Sequence, residues 1–285
     1  MPIKSTAFPK TLSYSPDYIT SRGSGSLNED AFICNPNKGL FAVFDGVTSL
    51  NPFIDATGKT GGWIASHTAV RIFEASKKTF SATVKDANIA IRDAMTSEGV
   101  DISDKLNLWA TSVAAIKLKR DSFDWVQVSD TNIIAIYKDG SYKLLVKDYE
   151  HDMESLLMLK KFVDSGATNP RAAIQGQLEL NRRNSNITYG FIAGDKDVKF
   201  MHTGTESTEA VSDILIFSDG LLIPKTDPSK PDDMGAIVKE YLGGGLEGWL
   251  SKVRALEDSD PECRKYMRFK PHDDATAIAV SLRQS

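Results

Sequence analysis

The chain has 285 residues, of which 41% are apolar and 25% are charged, and its formal net charge at pH 7 is −4. This composition is typical of a globular protein that is long enough for one large domain or two small ones. Because the net charge is negative and the Lys and Arg residues are scattered, the sequence does not predict a surface for nucleic acid.

Strand-like runs and helical segments follow one another along the chain. The predicted strands cover residues 31–34, 40–44, 111–118, 125–129, 133–137, 142–147, 188–193, 198–202, 214–217 and 275–282. The predicted helices cover residues 63–80, 84–95, 232–242 and 246–256, and the last two are separated by a run of glycines. Short turns favour antiparallel pairing. The order of elements predicts an α+β fold in a single domain: a four-layer α-β-β-α sandwich of two antiparallel sheets flanked by helix pairs.

Three Asp-Gly pairs follow strand-like runs, and only one of them is predicted to be a hairpin turn. Asp139 lies between two alternating strands and is typical of a two-residue hairpin. Asp45 and Asp219 instead follow the runs LFAVF and ILIF, whose continuous apolar character indicates strands covered on both faces. Their carboxylates are therefore predicted to lie at the rim of a rigid core.

Further acidic residues stand at other predicted strand ends, namely Glu29, Asp30, Asp130, Asp273 and Asp274. If these ends meet, each pair of carboxylates about 5 Å apart repels by roughly 3 kcal/mol at an effective dielectric of about 20. Such a cluster requires cations, and oxygen ligands without nearby Cys or His favour Mg²⁺ or Mn²⁺ over zinc. Any one of these residues alone is more often a turn former or a helix cap, so the metal hypothesis depends on the whole set.

Six motifs, in order along nearly the whole chain, resemble those of the PP2C-like metal-dependent serine/threonine protein phosphatases. They are NEDAF, VFDG, ATSVAAI, VSDTNIIAIYKDG, IFSDGL and DDATAIAV. The resemblance implies the same α-β-β-α sandwich that the order of elements indicates. It also implies hydrolysis of phosphoserine or phosphothreonine by a water that bridges two Mn²⁺ or Mg²⁺ ions and attacks phosphorus in line.

The resemblance assigns the central metal ligands by position. Asp45 would bridge the two ions, and the carbonyl of Gly46 would bind one of them. Asp219 and Asp273 would bind the other ion. Asp45 is therefore expected to be essential for catalysis.

The resemblance also gives roles to the remaining acidic residues of the motifs. Glu29 and Asp30 would hold metal-bound waters, which makes Asp30 the second expected catalytic residue. Asp130 would help to bind a weaker third ion of the kind found in bacterial relatives.

Two positions depart from the family pattern. The family usually has a phosphate-binding Arg five residues before the Asp of its first motif, where this chain has Gly25. Arg22 is the candidate substitute for phosphate binding, since its loop could fold back. Val47 stands where many members have His or Met, which excludes a His acid at that place. Loss of the Arg removes bidentate phosphate recognition and predicts slower turnover or an unusual substrate.

The segment of about residues 148–185 falls where the family has a mobile flap beside the active site. Its helical run MESLLMLKKF and its turn residues SGATNP fit a flap, and they also fit a surface insertion of any kind. Substrate preference is expected to reside in this segment.

The expected partner is a phosphorylated protein, the target of a cognate serine/threonine kinase in a bacterial-type signalling pathway. Two other functions are open: a pseudophosphatase that binds a phosphorylated partner without turnover, and a phosphatase of small phosphorylated metabolites. Two distant cysteines, no apolar leader and no run of about 18 apolar residues favour a cytoplasmic protein without a membrane partner.

Overall fold

The computed structural model describes residues 12–146 and 151–284. Its strands are β1 (Leu12–Ser21), β2 (Ala31–Asn35), β3 (Leu40–Phe44), β4 (Gly46–Val47), β5 (Ala110–Thr111), β6 (Val113–Leu118), β7 (Ser122–Val128), β8 (Asn132–Tyr137), β9 (Tyr142–Leu144), β10 (Met201–Ser207), β11 (Val211–Phe217) and β12 (Ala275–Gln284). Its α-helices are α1 (Gly61–Ala75), α2 (Phe80–Ser97), α3 (Met153–Asp164), α4 (Pro170–Ala173), α5 (Gln175–Asn184) and α6 (Met234–Asp258).

The strands of the described residues form two five-stranded antiparallel sheets and one short ladder. Sheet I has the order β1-β12-β11-β8-β9, and sheet II has the order β10-β7-β6-β3-β2. The β4–β5 ladder continues the register of β3 and β6 beyond an interruption at Asp45 and Ser112. The predicted α+β fold of two antiparallel sheets is confirmed.

Alternating side chains of the buried strands pack into different cores, as strand geometry requires. In β3, Phe41 and Val43 face sheet I, whereas Ala42 and Phe44 face α1 and α2. On the other side of sheet I, residues such as Phe217 pack against α6. The order of layers is therefore α1/α2, sheet II, sheet I, α6, and both faces of LFAVF are buried as predicted.

Helix boundaries differ from the sequence prediction on one side of the molecule and agree on the other. The predicted helix 63–80 ends earlier, at Ala75, and Phe80 begins the next helix. The hydroxyls of Ser76 and Thr83 hydrogen-bond at 2.6 Å and close the turn between the two helices. The predicted break in the last helix is confirmed, because α6 leaves helical geometry at Gly245.

Several strand predictions were wrong in place or extent. The strand β1 was missed because Pro16 interrupts its pattern, but an edge strand tolerates a proline, and Pro16 pairs with Val280. Residues 188–193 form isolated bridges instead of a strand, since the Asn186 side chain hydrogen-bonds both the N–H and the carbonyl of Phe191. Strand 111–118 is interrupted at Ser112, and 198–202 is shifted to Met201–Ser207.

The hairpin between β8 and β9 is longer than predicted. The N–H of Tyr137 donates to the carbonyl of Ser141 at 2.8 Å, and Gly140 has a φ of +83°. The side chain of Asp139 accepts a hydrogen bond from the N–H of Ser141 at 2.9 Å. Asp139 therefore has a turn role, while β9 ends at Leu144 and the last predicted strand residue, 147, lies outside the described residues.

The segment 148–185 contains helices α3, α4 and α5, and its first residues, 148–150, lie outside the described part. Leu159, Ile174 and Leu178 of this segment pack with Met267 in one hydrophobic cluster. Phe269 packs against the same cluster. The segment thus lies on the stretch of chain that leads to Asp273, beside the cleft described below.

Candidate metal centre

Backbone contacts hold the predicted strand-end residues at one end of the two sheets. The Asp45 carbonyl accepts hydrogen bonds from the Ser112 N–H at 2.9 Å and from the Thr111 hydroxyl at 2.8 Å. Asp219 begins a short 3₁₀ turn directly after β11, and Asp273 lies just before the neighbouring strand β12. Sheet II therefore supplies one carboxylate and sheet I supplies two.

The structure brings the Asp45 carboxyl into a group of five aspartates. Burial raises the pKa of Asp45 well above its usual range, and the charges of Asp219, Asp30, Asp130 and Asp273 raise it further. Such mutual repulsion in a desolvated site opposes ionisation of every member. The predicted convergence of distant carboxylates is therefore present in the structure.

Asp219 responds to the same surroundings. Burial raises its pKa well above the usual range, the charges of Asp273 and Asp130 add to this, and a hydrogen bond with the Asp45 carboxyl opposes it. The Oδ1 atom of Asp219 is buried and has no hydrogen-bond partner. The unpartnered oxygen of Asp219 therefore suits a bound cation.

Asp30 is 6% exposed and its Oδ2 accepts a hydrogen bond from the Ser218 hydroxyl at 2.8 Å. Burial raises the pKa of Asp30 to about 7, hydrogen bonds from Ser218 and Thr276 oppose the rise, and the charge of Asp273 adds to it. Its Oδ1 atom has no hydrogen-bond partner. Asp30 thus offers a second unsatisfied carboxylate oxygen to the same site.

Asp130 follows a strained residue and faces a histidine. Ser129 has a φ of +67°, a backbone conformation that is costly for residues other than Gly and that often marks functional sites. The Nε2 of His151 lies 3.6 Å from the Asp130 Oδ2. Burial raises the pKa of Asp130, His151 lowers it, and the charge of Asp152 raises it.

The donor chemistry of the group suits a hard divalent cation. Buried carboxylate oxygens without partners are the ligands that Mg²⁺ and Mn²⁺ prefer. Within residues 12–146 and 151–284, however, no three acidic, His or Cys side chains are arranged as a preformed metal-binding site. The Nζ of Lys270 lies 2.6 Å from the Asp273 Oδ1, so an ion bound by Asp273 would meet this ammonium.

Close backbone approach explains the glycine after each of the two aspartates. A Cβ on Gly46 would lie 2.5 Å from the carbonyl oxygens of Glu29 and Gly62. A Cβ on Gly220 would lie 1.9 Å from the carbonyl oxygen of Asp274. Both glycines are therefore required for packing, and at Gly46 this requirement stands beside the predicted access of a cation to its carbonyl.

The model of the family described as "Protein phosphatase 2C" matches residues 20–243 of this sequence. That range contains the first five of the six motifs and most of the described sheets. The chain belongs to the protein phosphatase 2C family. It is thus placed among the serine/threonine protein phosphatases, metal-dependent hydrolases that act on phosphorylated proteins.

Solved structures of proteins that include serine/threonine phosphatases have the same fold. The catalytic domain of PstP in complex with two manganese ions is 18% identical, with a TM-score of 0.59 and coverage of 95% of this chain and 99% of that one. Stp1 from Staphylococcus aureus is 17% identical, with a TM-score of 0.59 and coverage of 99% and 100%. PppA, a regulatory component of T6SS in Pseudomonas aeruginosa, is 12% identical, with a TM-score of 0.59 and coverage of 96% and 100%. No curated protein matches the sequence significantly.

Two of the residues that the phosphatase resemblance singled out have local partners. The Glu29 carboxylate accepts hydrogen bonds from the hydroxyls of Thr48, at 2.7 Å, and Thr60. Arg22 is exposed, and its guanidinium donates to the Ser26 carbonyl of its own loop at 3.0 Å. The structure therefore does not join Arg22 to the aspartate group.

Asp274 has a positioning role that the spacing of acidic residues did not reveal. Its Oδ1 accepts a hydrogen bond from the Gly23 N–H and its Oδ2 from the Glu29 N–H, both at 2.7 Å. These bonds tie the loop before β2 to the start of β12. They fix the backbone that carries Asp30 against the backbone that carries Asp273.

A cleft of about 760 Å³ opens beside the aspartate group. Asp130, Asp219, Asp273, His151 and Lys270 are among the polar residues that line it. Met153, Leu156, Leu222, Met234 and Phe269 are among the apolar residues that line it. A phosphate at the aspartates would therefore leave an apolar wall for the rest of the substrate.

Two residues of this cleft were missed as site residues. His151 stacks on Tyr189 with 4.2 Å between ring centroids, and Lys270 pairs with Asp273. Both lie outside the six motifs, and neither has a sequence partner pattern. Only the packing of the α3–α5 segment and of the stretch before Asp273 brings them to the aspartates.

No helix within the described residues is both long enough and apolar enough to cross a membrane.

Proposed function

We propose that this chain hydrolyses phosphoserine and phosphothreonine in proteins by a two-metal mechanism at Asp45, Asp219 and Asp273. The observation that supports it best is the half-buried pair Asp45 and Asp219, whose raised pKa values reflect negative charge that the protein alone does not neutralise. Two Mn²⁺ or Mg²⁺ ions there would activate a water between them and neutralise the phosphoryl oxygens.

The chain's own groups divide the work of holding the ions and the water. Asp45 and the Gly46 carbonyl would hold one ion, and Asp45, Asp219 and Asp273 the other. Asp30, fixed by the Ser218 hydroxyl, would orient a water of the site. Glu29, whose carboxylate accepts hydrogen bonds from two Thr hydroxyls, would also help to hold a metal-bound water.

A third ion is proposed at Asp130, on the side of the cleft where His151 and Asp152 lie. The Asp130 side chain is 30% exposed, whereas Asp30 is only 6% exposed, and a more open ligand suits a weaker ion. Asp130 lines the cleft directly after Ser129, whose φ is +67°.

We propose one phosphatase domain over residues 1–285, with the α3–α5 segment as the flap that contacts the substrate. The packing of this segment on Met267 and Phe269, beside the cleft, supports that role. The proposed partner is a protein phosphorylated by a cognate serine/threonine kinase in the cytoplasm, where Cys34 and Cys263 would remain free as they are in the structure.

A second function, binding of a phosphorylated partner without turnover, is favoured by one observation. The ammonium of Lys270 lies 2.6 Å from the Asp273 Oδ1, so this proposed metal ligand already has a cationic partner. A chain that kept this arrangement would present a cleft with little capacity for hydrolysis.

Activity assays separate the two functions. Purified protein is assayed on p-nitrophenyl phosphate and on a phosphothreonine peptide with Mn²⁺, with chelator, and as Asp45→Asn. Chelation and Asp45→Asn should each lower turnover at least about a hundredfold, which corresponds to about 2.7 kcal/mol in the barrier. The matched control is Asp139→Asn, which changes an exposed hairpin carboxylate and should leave turnover unchanged.

Turnover that survives both chelation and Asp45→Asn would contradict the two-metal mechanism. Tight binding of Mn²⁺ and of the phosphopeptide without turnover would instead establish the binding function.

A further inference from the structure

Lys270 is a cation inside the proposed metal centre. Its Nζ lies 2.6 Å from the Asp273 Oδ1, and its side chain is 35% exposed toward the cleft. Burial lowers the pKa of Lys270, but the charges of Asp273, Asp45 and Asp219 raise it by more. The ammonium is therefore charged at any physiological pH and stands among the carboxylates that would bind divalent ions.

The backbone at Lys270 belongs to a stretch of chain whose neighbouring residues are held in place. The Arg268 guanidinium donates to the Asp260 carboxylate and to the Tyr266 carbonyl at 3.0 and 2.9 Å. Phe269 packs against the hydrophobic cluster of the α3–α5 segment. Within the described residues, the only ion pair of the Lys270 ammonium is with Asp273. The head of Lys270 can therefore move without unfolding its surroundings.

Two other cations that line the cleft are already engaged in ion pairs. Arg268 pairs with Asp260 at 3.0 Å, and Lys225 pairs with Asp232 at 3.1 Å. Arg22 donates to its own loop. Lys230 also lines the cleft, but within the described residues Lys270 is the lysine whose ammonium pairs with an aspartate of the group, at Asp273.

We propose that Lys270 is the phosphate-binding cation of this site and that the Asp273 carboxylate exchanges Lys270 for a divalent ion when the site is loaded. This inference rests on the proposed function. An ammonium offers three donors as a compact point charge, so it binds a phosphoryl oxygen without the bidentate geometry of Arg. The exchange follows because the ammonium and a divalent ion repel each other and compete for the same Asp273 carboxylate.

Binding measurements test both halves of the proposal without relying on turnover. Isothermal titration of chelator-treated protein gives the Mn²⁺ affinity, and titration of inorganic phosphate into Mn²⁺-saturated protein gives the phosphate affinity. The variants are Lys270→Met, which keeps an unbranched apolar stem, and Lys270→Arg, which keeps the charge. The control is Lys265→Met, whose ammonium lies 4.8 Å from the centroid of the Tyr266 ring instead of in the cleft.

The two ligands should respond in opposite directions. Lys270→Met should bind Mn²⁺ about three- to tenfold more tightly, because a competing cation is gone. It should bind phosphate at least about tenfold more weakly, because a charge-assisted hydrogen bond is lost. Lys270→Arg should recover most of the phosphate affinity, and Lys265→Met should match the wild type for both ligands.

Each contrary result has a separate meaning. Unchanged phosphate affinity in Lys270→Met overturns the phosphate role, and unchanged Mn²⁺ affinity overturns the exchange. Weaker binding of both ligands together with a lower Tm overturns the proposal in favour of a structural role. Failure of the wild-type chain to bind Mn²⁺ overturns the proposed function itself, which these titrations distinguish from failure of the Lys270 inference.

Discussion

Asp30 shows in one side chain how burial opposes ionisation of the carboxyl groups in this site. It is buried, it has one carboxylate oxygen without a partner, and its pKa is raised to about 7. A carboxyl whose folded pKa exceeds its unfolded value stabilises the fold while protonated, and that contribution is lost as the pH rises through the folded pKa. The window for Asp30 therefore extends from about 4 to about 7.

Asp30→Asn should stabilise the chelator-treated protein at high pH. Asparagine stays neutral at every pH, and its side-chain oxygen can accept the Ser218 hydrogen bond. The advantage over wild type should grow from about pH 4 to about pH 7 and reach a few kcal/mol above that window. Urea unfolding at pH 5, 6, 7 and 8 measures it.

The control for this variant is Asp139→Asn, because hydrogen bonds from Ser141 lower the pKa of that exposed carboxyl. No stability advantage that grows with pH is expected there. If Asp30→Asn differed from wild type by the same free energy at pH 5 and pH 8, the raised pKa would be refuted.

Single residues also show how far the sequence predicts the site. Asp45 and Asp219 are predictable because a continuous apolar strand before Asp-Gly implies a strand buried on both faces, and both follow strands whose last residues, Phe44 and Phe217, are fully buried. Lys270 and His151 are not, since their positions depend on tertiary packing of segments with no motif. The reason for Gly46 is equally hidden, because the clashing atoms belong to residues 29 and 62.

Among the secondary-structure elements, the break in α6 was predictable because it is encoded locally. The glycine run at 243–245 interrupts an otherwise helical pattern, and Gly245 has φ 65° and ψ −165°, a region open to Gly almost alone. Strand β1 was missed because Pro16 interrupts its pattern, although an edge strand tolerates a proline. The stretch 188–193 was predicted wrongly because the sequence does not reveal that the Asn186 side chain takes the hydrogen bonds of Phe191. The glycine break is thus readable from the sequence, whereas these two outcomes depend on contacts made in the folded chain.

Gly245→Ala should lower the free energy of unfolding by about 1–3 kcal/mol, since alanine is strained at this φ and ψ. Gly248→Ala is the matched control, because Gly248 lies in the second half of α6, has no positive φ, and has open space within 4 Å of where a Cβ would stand. That variant should raise the stability by roughly 0.4–1 kcal/mol. Urea unfolding of both variants measures the contrast, and equal effects would show that α6 is not broken at Gly245.

At the scale of the whole molecule, the two sheets place carboxylates of like charge next to each other at one end of the sandwich. Sheet II ends its β3 ladder at Asp45, and sheet I ends β11 and begins β12 at Asp219 and Asp273. The hydrophobic core between the sheets holds these ends together against the repulsion of the carboxylates. The sandwich therefore keeps a site for cations at the cost of some stability in the metal-free protein.

Mn²⁺ should therefore stabilise the folded protein in addition to supporting its activity. At about 100 times its dissociation constant, each bound ion should add roughly 2.7 kcal/mol to the free energy of unfolding, which thermal unfolding with and without chelator records as a rise in Tm. The rise should be larger at pH 8 than at pH 5, because protons compete for the same raised-pKa carboxylates. Asp45→Asn should lose most of the rise and Asp139→Asn should keep all of it. A rise in Tm of equal size in Asp45→Asn and wild type would show that Mn²⁺ binds elsewhere.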